Sequence, residues 1–376
     1  MFVVLAPDYP SPENPSVNAF VHSRILSYKQ QGTEVAAFVV TGAGGKTQYE
    51  YDGVPVYRGS PEDFARFAAE TKTAFAAVHF IDENMIRALE LVEKPMPVFI
   101  FVHGAEALYW YERIFPGMLR SPRLLAGFVK GAFYGIYRIR TIRRFLAETR
   151  HTCRFITVSE WMKEKAVKNW RCSGASADWE IIPNIVSEER FPYREKAPEM
   201  CLRFLTIRSF DTGKYANDLT VKIILALRSH PRFAEMHFTI YGKGRLFQST
   251  LAPLRSLENV EIHERFVNAA EIARLHAENG VFLCPTRQDA QGVSMCEAMS
   301  SGLVPVTLYN TAIPEYLPED ERLVCRSLDD MIALTRRLVD EPETFRTLSG
   351  LCSRFIREKC GAENTTERER KLFLGM

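Results

Sequence analysis

Short, wholly apolar runs alternate along this chain with longer stretches in which apolar residues recur every three to four positions. The first run, Phe2-Val3-Val4-Leu5-Ala6, stops at Pro7, and after a loop from Asp8 to Pro15 a second stretch opens at Ser16. There Val17, Phe20, Val21, Ile25 and Tyr28 share one helical face until Gly32, and Glu34 to Val40 is apolar again. The first and third patterns predict strands and the second an amphipathic helix. Strand, helix, strand is a βαβ opening, and it implies a parallel sheet that receives ligands at the carboxyl ends of its strands.

The alternation continues with strands at Ala76 to Ile81 and Pro97 to Val102 around a helix at Glu83 to Val92. A strand at Phe155 to Val158 then leads into a helix around Met162 to Asn169, and Glu180 to Pro183 is a further strand. It breaks at Ser187 to Pro198, a polar segment with Pro192 and Pro198, which reads as a linker. A fresh alternation follows: strand Arg203 to Ile207, helix Asn217 to Ser229, strands at Phe238 to Tyr241 and Val260 to His263, and helix Ala269 to Asn279. Val281 to Cys284 is the next strand, Met295 to Ser300 a short helix ended by Gly302, Leu323 to Cys325 a last strand, and helices fill Leu328 to Val339 and Glu343 to Cys360. The fold class expected is α/β, in two domains at 1–190 and 200–350, with 351–376 as a terminal helical segment. A length of 376 residues fits two cores better than one.

Composition narrows the classes. Apolar content of 46% and charged content of 25% are those of a globular protein, and a net charge of +2 gives no global attraction to nucleic acid. The eight cysteines include no C-x-x-C pair, which favours a reducing, cytoplasmic home. The chain opens directly on a strand, so no signal peptide is expected, and no apolar run is long enough to span a bilayer.

The densest chemistry lies in Val281 to Glu315. A strand ends at Pro285, a polar loop with its only glycine at Gly292 follows, and a helix begins, with Asp289 and Glu297 eight positions apart on either side. Free N–H groups at such a helix start favour an anion, and flanking carboxylates accept hydrogen bonds from hydroxyls. Phosphate between hydroxyls describes a sugar nucleotide. The competing interpretation is a capping box, in which Ser294 and Glu297 satisfy the helix start themselves.

Arg208 and Lys214 flank a turn at the end of a strand and can converge on one point, where two cations would neutralise a pyrophosphate. A solvated basic pair is the bland alternative. His103, in Phe101-Val102-His103-Gly104-Ala105-Glu106, stands at a strand's carboxyl edge, with His79 in Val78-His79-Phe80 a weaker candidate. Between Leu119 and Arg150, eight Arg and Lys residues face one acid, Glu148, while apolar residues recur at helical spacing. That pattern suits an anionic membrane surface, or else a packed helix with a solvated basic face.

The acidic segment resembles the E-x7-E signature of the retaining glycosyltransferases of family 4, with Asp289 at the first acidic position. The Arg208/Lys214 spacing, the VHG-type phrase at His103, and the phrases Val158-Ser159-Glu160 and Pro183-Asn184-Ile185-Val186 resemble the same family in the same order. This resemblance implies a GT-B fold, two Rossmann-like domains facing across a cleft, with the terminal helix crossing back to the N-terminal domain. It implies His103, Arg208, Lys214 and Asp289 as catalytic residues, and Arg208, Lys214, Asp289, Gly292, Val293 and Glu297 as donor-binding residues. Asn14 and Ser16, where the family carries a glycine pair, are acceptor-side candidates. Tyr215 stands where a glycine is common after the lysine.

No metal or other cofactor is expected, the chain's own cations holding the leaving diphosphate. The expected partners are a nucleotide-sugar donor, a lipid-linked glycan acceptor of bacterial surface polysaccharide (O-antigen or capsule), and the inner face of the cytoplasmic membrane, contacted through 119–150. Two other activities fit a two-domain chain: a nucleotide-sugar epimerase, which turns over donor alone, and a non-catalytic nucleotide-sugar-binding subunit.

Overall fold

A computed structural model describes residues 1–14, 17–42, 46–115, 122–172 and 178–375, the side chains of 122–128, 130 and 269 excepted. The chain divides into two compact units. One comprises 1–114, 126–185 and 362–376, and the other contains 186–361.

In the first unit the strands are β1 (Phe2–Ala6), β2 (Val35–Val40), β3 (Thr47–Tyr51), β4 (Val54–Gly59), β5 (Ala76–His79), β6 (Pro97–Val102), β7 (Thr152–Thr157) and β8 (Asp178–Ile181). The helices are α1 (Ala19–Gln30), α2 (Pro61–Glu70), α3 (Glu83–Glu90), α4 (Pro122–Glu148) and α5 (Glu160–Trp170). The sheet order is β3-β4-β2-β1-β5-β6-β7-β8, with every pairing parallel except β3 with β4. β1 and β2 are buried along their whole length, as their uninterrupted apolar sequences require between two helical layers, and β5 is buried as far as its terminal His79. Because β2 lies on one side of β1 and β5 on the other, the strand order reverses between β1 and β5. That is the place where such a sheet leaves a crevice at its carboxyl edge.

The second unit contains β9 (Arg203–Ser209), α6 (Asn217–Leu227), β10 (His237–Lys243), α7 (Phe247–Leu251), β11 (Val260–Glu264), α8 (Ala269–Glu278) and β12 (Val281–Leu283). It continues with α9 (Val293–Ser300), β13 (Val304–Val306), α10 (Leu328–Asp340) and α11 (Pro342–Cys360). Its five strands are all parallel in the order β11-β10-β9-β12-β13, and the reversal falls between β9 and β12. Gly242 on β10 lies against β9 so closely that a Cβ there would come within 2.1 Å of the Arg208 carbonyl.

The last helix, α12 (Thr366–Leu374), belongs to the first unit. Phe373 enters an aromatic cluster with Phe2, Tyr28, Phe75 and Phe99, with ring centroids 4.6 to 5.7 Å away. Glu369 is fully buried and accepts from Arg24 Nε at 2.9 Å and from the Tyr28 hydroxyl.

Three expectations about elements change. The antiparallel β3–β4 hairpin was not anticipated. Its turn is Asp52-Gly53, both residues at positive φ (48° and 72°), which is the residue pair that two-residue hairpin turns select. Leu323–Cys325 is not a strand: Asp320 accepts from the Arg322 amide at 3.0 Å and from its guanidinium, curling Glu321–Leu323 into a 3₁₀ turn. The first helix begins at Ala19 rather than Ser16, behind Asn18 in the left-handed region at φ 47°.

Candidate functional site

The reversal between β9 and β12 brings the second unit's candidate residues together. Arg208, the penultimate residue of β9, is buried. Its Nη1 donates to Ser294 Oγ in the first turn of α9 at 2.8 Å, and its Nη2 donates to the Cys284 carbonyl beyond β12 at 3.3 Å. Lys214 lies in the 3₁₀ turn after β9, and its carbonyl accepts from the Arg287 amide at 2.8 Å, which fastens that turn to the loop after β12. Both cations lie over one ring: Arg208 Cζ is 5.2 Å and Lys214 Nζ 5.1 Å from the centroid of Tyr215. Arg208 is therefore not a solvated cation, and neither member of the pair is remote from the acidic loop.

Tyr215 was visible in the sequence only as a departure from glycine. In the structure it is the surface on which the two positive charges are held, an arrangement that a cation–π contact favours.

The acidic loop folds on itself. Asp289 Oδ1 accepts from the Gly292 amide at 3.0 Å and from the Gln291 amide at 3.4 Å, while the Asp289 amide donates to Thr311 Oγ1. Gly292 is the N-cap of α9 at φ 78°, and a Cβ on it would meet Ile313 Cδ1 at 3.1 Å. Two expectations are corrected here. The Gly292 N–H is already taken by Asp289, so the amides left for an anion are those of Val293 and Ser294, which have no acceptor among the described residues. The capping box is absent too. The cap is Gly292, and Ser294 receives the guanidinium of Arg208 instead.

Glu297 follows one turn later, and its carboxylate has no hydrogen-bond partner among the described residues. It keeps an edge open to solvent, but burial pushes its pKa up from 4.5 to about 7, against the opposing pull of Arg190 and Arg208. A carboxyl near neutrality with open lone pairs is equipped to accept from a ligand hydroxyl.

In the first unit, His103 follows β6. Its Nε2 lies 2.9 Å from Nδ1 of His79 at the end of β5, and the rings stack with centroids 5.1 Å apart. Phe20 and Phe80 flank His103 at 4.9 and 4.6 Å. Glu106, fully buried, accepts from the backbone amides of His103 and Gly104 and so shapes the turn that carries the ring. Burial, with the nearby Arg24 charge, holds both histidines well below 6.5. His79 is therefore a partner that orients His103.

Asn14 is exposed, its amide donating to the Ser11 carbonyl at 3.1 Å, and Ser16 lies outside the described residues. Among the described residues no group of three or more His, Cys, Asp or Glu could hold a metal ion. Among the described residues no helix is long and apolar enough to cross a membrane.

The basic helix is redistributed. Arg138 donates to the Ala105 carbonyl, Arg143 to the Asn169 carbonyl, Arg150 to the Val92 carbonyl, and Arg144 pairs with Glu90. Arg120 lies outside the described residues, and the side chains of Arg123, Phe128 and Lys130 are likewise not described. The outward stripe of α4 is mainly apolar: Val129, Phe133 (71% exposed) and Tyr137 (56% exposed) at four-residue spacing, then Arg140.

Residues 203–341 match the family model described as glycosyl transferases group 1. No curated protein matches the sequence significantly. Solved structures do resemble the whole chain. A sucrose-phosphate synthase from Thermosynechococcus elongatus superposes with a TM-score of 0.74 at 11% identity, covering 100% of this chain and 98% of that one. An Anabaena protein in complex with UDP and glucose gives 0.66 at 11% identity, covering 100% of both chains. A trehalose-6-phosphate structure from E. coli, bound with UDP-2-fluoro glucose, gives 0.65 at 9% identity, covering 100% and 98%. The chain thus has the GT-B glycosyltransferase fold, and the glycosyl transferases group 1 match lies within its second unit.

Proposed function

We propose that this protein is a retaining glycosyltransferase that moves a sugar from a nucleotide-sugar donor to a glycan acceptor. The observation that carries the reading is the convergence of Arg208, Lys214 and the free amides of Val293 and Ser294 at one strand-order reversal, beside the open carboxylate of Glu297. Cations and a helix start suit a diphosphate, and the carboxylate suits a ribose hydroxyl. Structural relatives bound with UDP and glucose or with UDP-2-fluoro glucose support the same donor class.

In the reaction proposed, the bond between the anomeric carbon and the diphosphate oxygen breaks while the acceptor oxygen bonds to that carbon on the same face. The acceptor's proton passes to the departing phosphate. Arg208 and Lys214 stabilise the charge growing on the diphosphate without a metal, and Asp289, whose Oδ2 has no partner among the described residues, accepts from the donor sugar. Calorimetry with a panel of nucleoside diphosphates and their sugars tests this reading. Micromolar binding of one member is expected, and no heat from any of them would end it.

The acceptor proposed is a lipid-linked glycan of bacterial surface polysaccharide, met at the inner face of the cytoplasmic membrane. The exposed Val129, Phe133 and Tyr137 stripe followed by Arg140 supports interfacial seating through aromatic side chains, with charge in a lesser role. Flotation with vesicles containing anionic lipid should recover the wild type and lose most of a Phe133→Ser/Tyr137→Ser double variant; absence of wild-type binding would remove the membrane from the proposal.

A further inference from the structure

Arg287 is absent from the donor-binding set above, yet it joins the turn that bears Lys214 to the loop that leads to Asp289. It follows β12 in the loop that leads to Asp289. Its Nη1 and Nη2 donate to Asp218 Oδ1 and Oδ2, both at 2.8 Å, in a planar fork. Nη1 also donates to the Gly213 carbonyl at 2.8 Å, and the Arg287 backbone amide donates to the Lys214 carbonyl at 2.8 Å. Thr286 adds a contact from its hydroxyl to the same Lys214 carbonyl at 3.4 Å. The turn bearing Lys214, the first turn of α6 and the acidic loop are thus tied at one guanidinium. Arg287 is mostly covered and Asp218 is half-exposed, and their mutual attraction holds the Asp218 carboxyl below its usual range despite its partial burial.

We infer that Arg287, through Asp218 and the Gly213 carbonyl, is a positioning residue that holds Lys214 over Tyr215 at the height of the leaving diphosphate. The inference rests on the donor-binding reading of this site. Lys214 reaches its place by a short 3₁₀ turn on a flexible side chain, and no hydrogen bond from its Nζ is described among the described residues. Its aim is set by its backbone. A bidentate arginine–carboxylate pair fixes direction as well as distance, whereas a lysine in place of Arg287 would supply charge without the fork.

The test is a double-mutant cycle read by calorimetry with the nucleoside diphosphate that the wild type binds best. Arg287→Ala is expected to weaken binding roughly tenfold or more, the scale of losing a hydrogen bond to a charged group. Arg287→Lys should recover only a small part of the loss. In a Lys214→Ala background the same Arg287→Ala change should have little further effect, because the residue acts through that lysine. Equal losses in both backgrounds, or unchanged affinity in Arg287→Ala, overturn the inference. Asp218→Asn, which keeps the shape and removes the charge, gives the same reading if Arg287→Ala folds poorly, and thermal melts separate misfolding from loss of aim. Failure of the wild type to bind any nucleoside diphosphate would instead overturn the donor-binding reading.

Discussion

Arg208 and Ser294, 86 positions apart in the chain, are joined by a hydrogen bond of 2.8 Å from guanidinium to hydroxyl. That bond ties the end of β9 to the first turn of α9 and aims a buried cation at the free amides of the helix start. If Arg208 acts on the departing diphosphate as a single oxyanion donor does, Arg208→Ala should raise the barrier by about 2.7–4 kcal/mol. Arg208→Lys should recover little, since a point charge cannot span Ser294 and the Cys284 carbonyl together. Steady-state rates with the identified donor check both variants.

Glu297 makes the site pH-sensitive in a definite direction. Its pKa is raised from 4.5 to about 7, so its contribution to stability is greatest below 4.5, declines as pH rises toward 7, and is flat above. Glu297→Gln should therefore gain in thermal stability relative to wild type between pH 5 and pH 8. Nucleotide affinity should move oppositely, strengthening from pH 6 to pH 8 in the wild type as the carboxylate ionises, and staying level in Glu297→Gln. Melting curves and calorimetry at four pH values decide the matter.

The His79–His103 pair behaves in the reverse sense. Both pKa values lie well below 6.5, so the folded pair stays neutral where the unfolded histidines have begun to protonate. Their contribution to stability is complete above pH 6.5 and diminishes as pH falls below it. Imidazole carbon resonances of these two residues should show no titration between pH 6 and pH 8, and a midpoint in that interval for either would contradict their burial beside Arg24.

Removing one partner of the Arg24–Glu369 pair should be severe, because both side chains are fully covered. Glu369→Ala leaves a buried guanidinium uncompensated, at a cost of about 3–5 kcal/mol, whereas the double change Arg24→Met/Glu369→Leu should be much milder. Denaturant midpoints for the two variants test the contrast. An equal loss in both would mean that the Phe373 aromatic contacts, and not the ion pair, hold α12.

Much of this site was legible in the sequence, and for a local reason. The apolar run at Val281 to Leu283, the single glycine at Gly292 and the acids at Asp289 and Glu297 each act within a few residues of themselves. So does the strand end at Arg208. Arg287 and Tyr215 were not legible as parts of the site. An arginine in a polar loop and a tyrosine in place of a glycine carry no periodic signal, and their roles depend on which distant turn lies opposite. The partners of the basic helix were not legible for the same reason: a charge count cannot say that Arg138, Arg143 and Arg150 are engaged by backbone carbonyls on neighbouring loops.

The sequence by itself determined the alternation of buried strands and amphipathic helices, the break between its two halves, and which residue types stand at strand ends. Those properties follow from side-chain period and backbone preference, which act over a few positions. Only the tertiary structure decided that β9 and β12 lie side by side, that Gly292 rather than Ser294 caps α9, and that Arg208 and Lys214 share the ring of Tyr215. Strand order and the directions of long polar side chains are set by packing between segments far apart in the chain, and that packing leaves no periodic trace in either segment alone.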